Sequence, residues 1–324
     1  MSQIFDALQR AEAEQHKDSE AQPQGLDLLR QIERRATSRW KSTGTSSKAI
    51  AEDPSKGQVA INMQLSEIKS VIPTTSEIEE TEFKQQRSVM LNSLPSISGS
   101  SSAESRLVCI TDKGAPTAEA IRLLGVRLRH IQRSRNLKKV LLTSAVPREG
   151  KSIIAANLAC VLAYAKEETV LLVEGDLRKP TQMDIFGLQR KPGICEQLQD
   201  EHNLIGNIYK ITDANVYILP SGESPNNPLD VLQSERLSPF MDKLTAHFDW
   251  IIIDSPPILP LADTSIWMKM SDGVILVTRQ GITEKEQLVK GMAALDPHKT
   301  LGAIVNGITI AASSSYYYYT SPVA

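Results

Sequence analysis

The chain has 324 residues, of which 36 are basic and 38 acidic, for a formal charge of −2. That length allows one large domain with extensions or two domains. The balanced charge excludes a nucleic-acid-binding surface, so no nucleic acid is expected as a partner.

Three cysteines, Cys109, Cys160 and Cys195, stand without metal or redox spacing and read as reduced, buried thiols of a cytosolic protein. The opening residues 1–6 do not read as a signal peptide, and no apolar run reaches the length of a spanning helix. Work at a membrane would therefore need a partner to hold the protein there. Residues 2–15 carry Ile4, Phe5, Leu8 and Ala11 at helical spacing, a short amphipathic helix with too small an apolar face to fold alone. From 16 to 105 the composition turns polar, with Ser98, Gly99 and Ser100–Ser102 as a flexible signature. A disordered linker is expected there.

A packed domain is expected over 106–311. Leu107–Ile110 reads as an edge strand, and Pro116–Arg133 as a helix with a basic side that includes Arg122, Arg127 and Arg129. Lys139–Thr143, Thr169–Val173 and Trp250–Asp254 are short, nearly unbroken apolar runs, the pattern of strands covered on both faces. Val216–Pro220, Gly273–Thr278 and Leu301–Val305 read as further strands, and Asp230–Phe248 and Glu284–Leu295 as helical stretches. Strands alternating with helices predict an α/β fold with a doubly wound, mostly parallel sheet.

The chemistry concentrates where these strands end. Ala145-Val146-Pro147-Arg148-Glu149-Gly150-Lys151-Ser152 joins the first central strand to a helix beginning near Ile153. This is the phosphate-binding loop of a P-loop nucleotide triphosphatase, missing the usual first glycine by one methyl group. Unpaired amide hydrogens at a helix start face an anion. Lys151 supplies a point charge to the β- and γ-phosphates of ATP, and Ser152 a hydroxyl to Mg²⁺.

Glu174 and Asp176 end one neighbouring strand and Asp254 another. Asp254 suits the metal-holding role. Glu174 and Asp176, two residues apart, are expected to share a face, one holding the metal and the other accepting a proton from an incoming hydroxyl. The tail, 312–324, holds Tyr316, Tyr317, Tyr318 and Tyr319, four of seven tyrosines. Such a run is poor core material and reads as an exposed segment open to phosphorylation.

Together these pieces resemble the bacterial tyrosine kinases (BY-kinases) of capsule and exopolysaccharide assembly. The match covers roughly 105–324: a first Walker motif at Ala145–Ser152, a second (A′) at Leu171–Arg178, Walker B at Ile251–Asp254, and the tyrosine cluster. The resemblance implies an autokinase that passes the ATP γ-phosphate to tail tyrosines of adjacent subunits in a ring. It also implies a transmembrane co-polymerase as activator, a phosphotyrosine phosphatase as antagonist, and a place at the inner face of the cell membrane through that partner.

Two positions depart from the family pattern. Glu174 stands where the A′ motif opens with Asp, and the ring-forming Glu-x-x-Arg-x-x-Arg reads Glu119, Arg122, Gly125, with Arg127 further on. Two other readings stay open from the residues: a MinD/ParA-like ATPase switch, although Val146 stands where that family has a signature lysine, and a non-catalytic ATP-binding partner of a co-polymerase.

Overall fold

A computed structural model describes residues 75–99, 106–164, 168–199 and 206–308. The expected N-terminal amphipathic helix and the tyrosine tail lie outside the described residues.

The centre is an eight-stranded sheet. Its strands are β1 (Ser96–Ile97), β2 (Lys139–Ser144), β3 (Val170–Glu174), β4 (Tyr209–Ile211), β5 (Val216–Leu219), β6 (Trp250–Asp254), β7 (Gly273–Arg279) and β8 (Thr300–Asn306). They lie in the order β1-β4-β5-β3-β6-β2-β7-β8. Every neighbouring pair is parallel except β4 with β5. The apolar runs behave as expected: β3 and β6 are buried at every position, because helices cover both faces.

On one face α3 (Pro116–Ser134) packs on α4 (Lys151–Tyr164). Helix α4 is buried all round from Ile154 to Ala163, since it lies between the sheet on one side and α3 on the other. The buried stripe of α3 is Ala118, Ile121, Gly125 and Leu128. Leu123 and Val126 of the same helix face solvent. The opposite face of the sheet packs against α6 (Leu237–His247) and α7 (Asp263–Met270), whose Phe240, Leu244 and Trp267 join one cluster with Ile251 and Ile253.

Two expectations are corrected here. Part of the supposed linker is ordered: α1 (Thr75–Ser93) is a helix and β1 pairs with β4. Leu91 and Leu94 sink into the core, and Arg87 pairs with Asp249 at 2.6 Å and bonds the Thr169 hydroxyl. Two leucines and one ion pair hold a segment whose composition is otherwise polar, so windowed composition misses it. Leu107–Ile110 is not a strand either, because Val108–Thr111 forms one helical turn, α2. The Asn157 side chain accepts from the Cys109 amide at 3.1 Å and donates to the Arg106 carbonyl at 3.0 Å. It thereby takes up backbone groups that a ladder would need.

Candidate active site

β3, β6 and β2 are consecutive in the sheet, so their carboxyl ends meet. Glu174 is level with Asp254, and Asp254 with Leu142, two residues short of the end of β2. In open α/β sheets this edge is where ligands bind.

The phosphate loop is held from outside. The Glu149 carboxylate is buried beneath it, accepting from the Val146 amide at 2.8 Å and from the Thr283 hydroxyl. Asn306, at the end of β8, donates to the Glu149 carbonyl at 2.9 Å. Arg148 and Gly150 both have positive φ, 70° and 93°. Left-handed residues at such spacing gather successive N–H groups into an anion-binding concavity. A side chain at Gly150 would collide with the Asn306 amide. Ala145 and Glu149, expected to touch nucleotide, are buried and shape the loop. Pro147, Arg148, Gly150, Lys151, Ser152 and Ile153 line an open cleft of about 1090 Å³.

Lys151 reaches across the loop. Its Nζ is 3.1 Å from Asp176 Oδ2, 3.7 Å from Asp254 Oδ1 and 3.3 Å from Ser152 Oγ. Burial by itself would weaken the ammonium, but the Asp254 and Asp176 charges outweigh it and hold the Lys151 pKa above its ordinary value. Burial pushes the Asp254 carboxyl up, with Lys151 and the Gln182 amide opposing. Asp254 Oδ1 is buried and accepts no hydrogen bond among the described residues. A hard oxygen met by the Lys151 ammonium at 3.7 Å rather than by a hydrogen bond, beside a serine hydroxyl and a second carboxylate, belongs to the donor set that Mg²⁺ takes. The residues fit the ion.

Glu174 is brought to the edge but not into the cleft. It is buried, with Oε1 accepting from the Gln182 amide at 2.5 Å and Oε2 from the Ser221 amide at 2.9 Å. Burial raises its carboxyl, and those two amides oppose the shift. The expected sharing of a face by Glu174 and Asp176 fails because β3 ends at Glu174. The Gly175 amide then turns to the Asp254 carbonyl at 2.8 Å, so Asp176 stands in a loop, lining the cleft.

That turn needs glycine. A Cβ at 175 would stand 2.8 Å from the Trp267 ring and 2.9 Å from the Asp254 carbonyl oxygen. Gly175→Ala should therefore cost about 1–3 kcal/mol of stability, measurable by urea denaturation; an unchanged midpoint would show that the turn relaxes freely. Arg178, at the end of the A′ stretch, makes a two-pronged bond to the buried Asp263 at 2.8 and 3.1 Å. Sequence reading missed Gln182, a fully buried amide among these groups.

Comparison with known proteins now bears on this edge. Residues 149–295 match an AAA domain family, AAA_31. Over 215 residues the chain is 36% identical to the tyrosine-protein kinase YwqD of Bacillus subtilis, covering 66% of this chain and 90% of that one. The chain belongs to the bacterial tyrosine kinase family. A putative tyrosine-protein kinase of Staphylococcus aureus, CapB, is 33% identical over 185 residues, 56% of this chain and 81% of its own. The solved kinase domain of the Escherichia coli tyrosine kinase ETK superposes with a TM-score of 0.60 at 25% identity, over 65% of this chain and 83% of that domain.

The fold of this kinase is thus the P-loop nucleotide triphosphatase fold, and its enzyme class is protein-tyrosine kinase. Family membership sets the MinD/ParA-like reading aside. Among the described residues no helix of this kinase is long and apolar enough to cross a membrane.

On α3, Glu119 and Arg122 pair with each other at 2.6 Å on the surface, and Arg127 is exposed. Gly125 is buried against α4, where a Cβ would meet Val161 Cγ1 at 3.0 Å. A larger side chain there would need Val161 to shift.

Proposed function

We propose that this kinase transfers the γ-phosphoryl group of ATP to Tyr316–Tyr319 of an adjacent copy, as a switch for capsule or exopolysaccharide polymerisation and export. The observation that carries the reading is the convergence of Lys151, Asp176 and Asp254 on an open phosphate loop. A phenol oxygen forms the new P–O bond as the bond between the γ-phosphorus and the β–γ bridging oxygen breaks, releasing ADP. Asp176, the carboxylate that lines the cleft, takes the phenol proton. Lys151 exchanges its carboxylate partners for the β- and γ-phosphates. Ser152 and Asp254, with Asp176 nearby, would hold Mg²⁺, which would supply charge neutralisation at those phosphates.

Copies assemble into a ring through α3, with Glu119, Arg122 and Arg127 at the contact. Partners of this reading are a transmembrane co-polymerase, which activates the kinase and keeps it at the inner face of the membrane, and a phosphotyrosine phosphatase. Each phosphate adds about −1.5 to −2 charges. Four would outweigh the −2 of the whole chain, enough to repel a tail from the phosphates of a neighbour's bound nucleotide.

The test is intact-mass measurement after incubation with Mg·ATP, with the cytoplasmic part of the activator present. One to four added phosphoryl groups are expected, and none when all four tail tyrosines are phenylalanine. An unmodified wild-type chain, or a phenylalanine variant still modified to the same extent, would end this reading.

A further inference from the structure

Gln182 opens the short helix α5 (Gln182–Ile185), beyond the loop that carries Asp176. It is fully buried, although it is among the more polar residues near the sheet edge. Its side-chain amide Nε2 donates twice, to Asp254 Oδ2 at 2.8 Å and to the Ser152 carbonyl at 3.0 Å. Its own backbone amide is fixed by Glu174 Oε1 at 2.5 Å. One residue therefore ties together the ends of β3 and β6 and the first turn of α4, the three elements that the reaction needs in register.

The bond to Oδ2 leaves Oδ1 of Asp254 as the oxygen turned toward Lys151, 3.7 Å from its Nζ. Oδ1 of Asp254 and Oε1 of Gln182 are both buried without a hydrogen-bond donor among the described residues. In the ligand-free protein the Lys151 ammonium is the electropositive group beside Oδ1, and a hydrated cation would complete that oxygen once Lys151 turns to the phosphates.

We infer that Gln182 is a positioning residue for the metal-binding carboxylate. It holds Asp254 by one oxygen so that the other is presented to Mg²⁺, and it sets that carboxylate's distance from Ser152 by bonding the Asp254 side chain and the Ser152 carbonyl with one amide. Glu174 serves the same arrangement one step further out, anchoring the Gln182 backbone and the Ser221 loop. The longer glutamate at this position is then a structural latch. The inference rests on the Mg·ATP reading above, and its test separates the two.

Mg²⁺ is titrated into the full chain with a fluorescent ATP analogue, and binding rather than turnover is read. Gln182→Met removes both donations at nearly constant volume, and Gln182→Asn keeps the amide but withdraws it by one methylene. Both should need about 10-fold more Mg²⁺ for half-saturation, while analogue binding in EDTA stays within about 2-fold of wild type. Asp254→Asn should show a shift at least as large, and Gln182→Met added to it should cause no further loss, because the amide acts through the carboxylate. If Gln182→Met does not fold, Gln182→Asn carries the comparison alone.

Wild-type Mg²⁺ dependence in both glutamine variants, or full additivity with Asp254→Asn, would overturn the inference and leave the kinase reading standing. A wild-type chain whose nucleotide binding ignores Mg²⁺ would overturn the metal reading itself, and this inference with it.

Discussion

Replacing Lys151 with methionine is expected to lower autophosphorylation by about 10²–10³-fold, the usual consequence of removing one preorganised donor from a developing charge. The same change should also destabilise the ligand-free protein, and this second effect follows from the structure alone. Lys151 is the counter-charge for both Asp176 and Asp254. Taking one partner from a buried ion pair leaves an uncompensated charge, at about 3–5 kcal/mol where no relaxation occurs. Opening of the cleft to water will reduce that figure.

The sign with pH is fixed by Asp254. Burial raises its folded pKa above the unfolded value, so the native state binds a proton more tightly than the unfolded chain. Stability then falls as pH rises through the interval between those two values. Without Lys151 to oppose the shift, the interval widens upward. The gap in melting temperature between wild type and Lys151→Met should therefore narrow as the pH is lowered from 8 toward 5. Calorimetry across that range, alongside phosphotransfer assays, is the check. A variant that keeps its phosphotransfer rate would remove Lys151 from the mechanism.

How far the sequence carried is best judged at individual residues. Strands β2, β3, β6 and β7 were readable because each is a short, unbroken apolar run, and full burial on both faces leaves no other use for one. The phosphate loop and the acids at two strand ends follow from those runs. The β4–β5 pairing was not readable, since three residues at Tyr209–Ile211 give no measurable period. Helix α1 was hidden because its docking depends on Arg87 meeting Asp249, 162 positions away.

The shared face expected of Glu174 and Asp176 fails for a different reason. Alternation along a strand was extended two residues past the strand's end at Glu174, and Gly175 breaks it by turning to Asp254. Gln182 had no local signal at all. One glutamine at the start of a four-residue helix carries no pattern, and only the folded edge shows that it bonds to β3, β6 and α4.

Asp176→Asn and Glu174→Gln should fail in opposite ways, and the contrast decides which acid does the chemistry. Asn at 176 keeps the shape of a side chain that already lines the cleft but cannot take a proton, so the phosphotransfer rate should drop about 10²–10⁴-fold. Nucleotide affinity should change only a few-fold. Gln at 174 does the reverse. Both carboxylate oxygens now accept from amides, Gln182 and Ser221. The substituted amide must aim its own donor at one of these N–H groups, and an unsatisfied buried pair costs about 1–3 kcal/mol.

Glu174→Gln should therefore melt lower while its folded fraction transfers phosphate within a few-fold of wild type. A pH signature accompanies it. Burial raises the Glu174 carboxyl in the native state, so in wild type this residue makes stability decline as pH rises from its unfolded pKa through its folded one. Glu174→Gln should remove that part of the slope, whereas Asp176→Asn should leave it in place. If Glu174→Gln instead abolishes phosphotransfer at an unchanged melting temperature, the base is Glu174, and its amide bonds must open during the reaction.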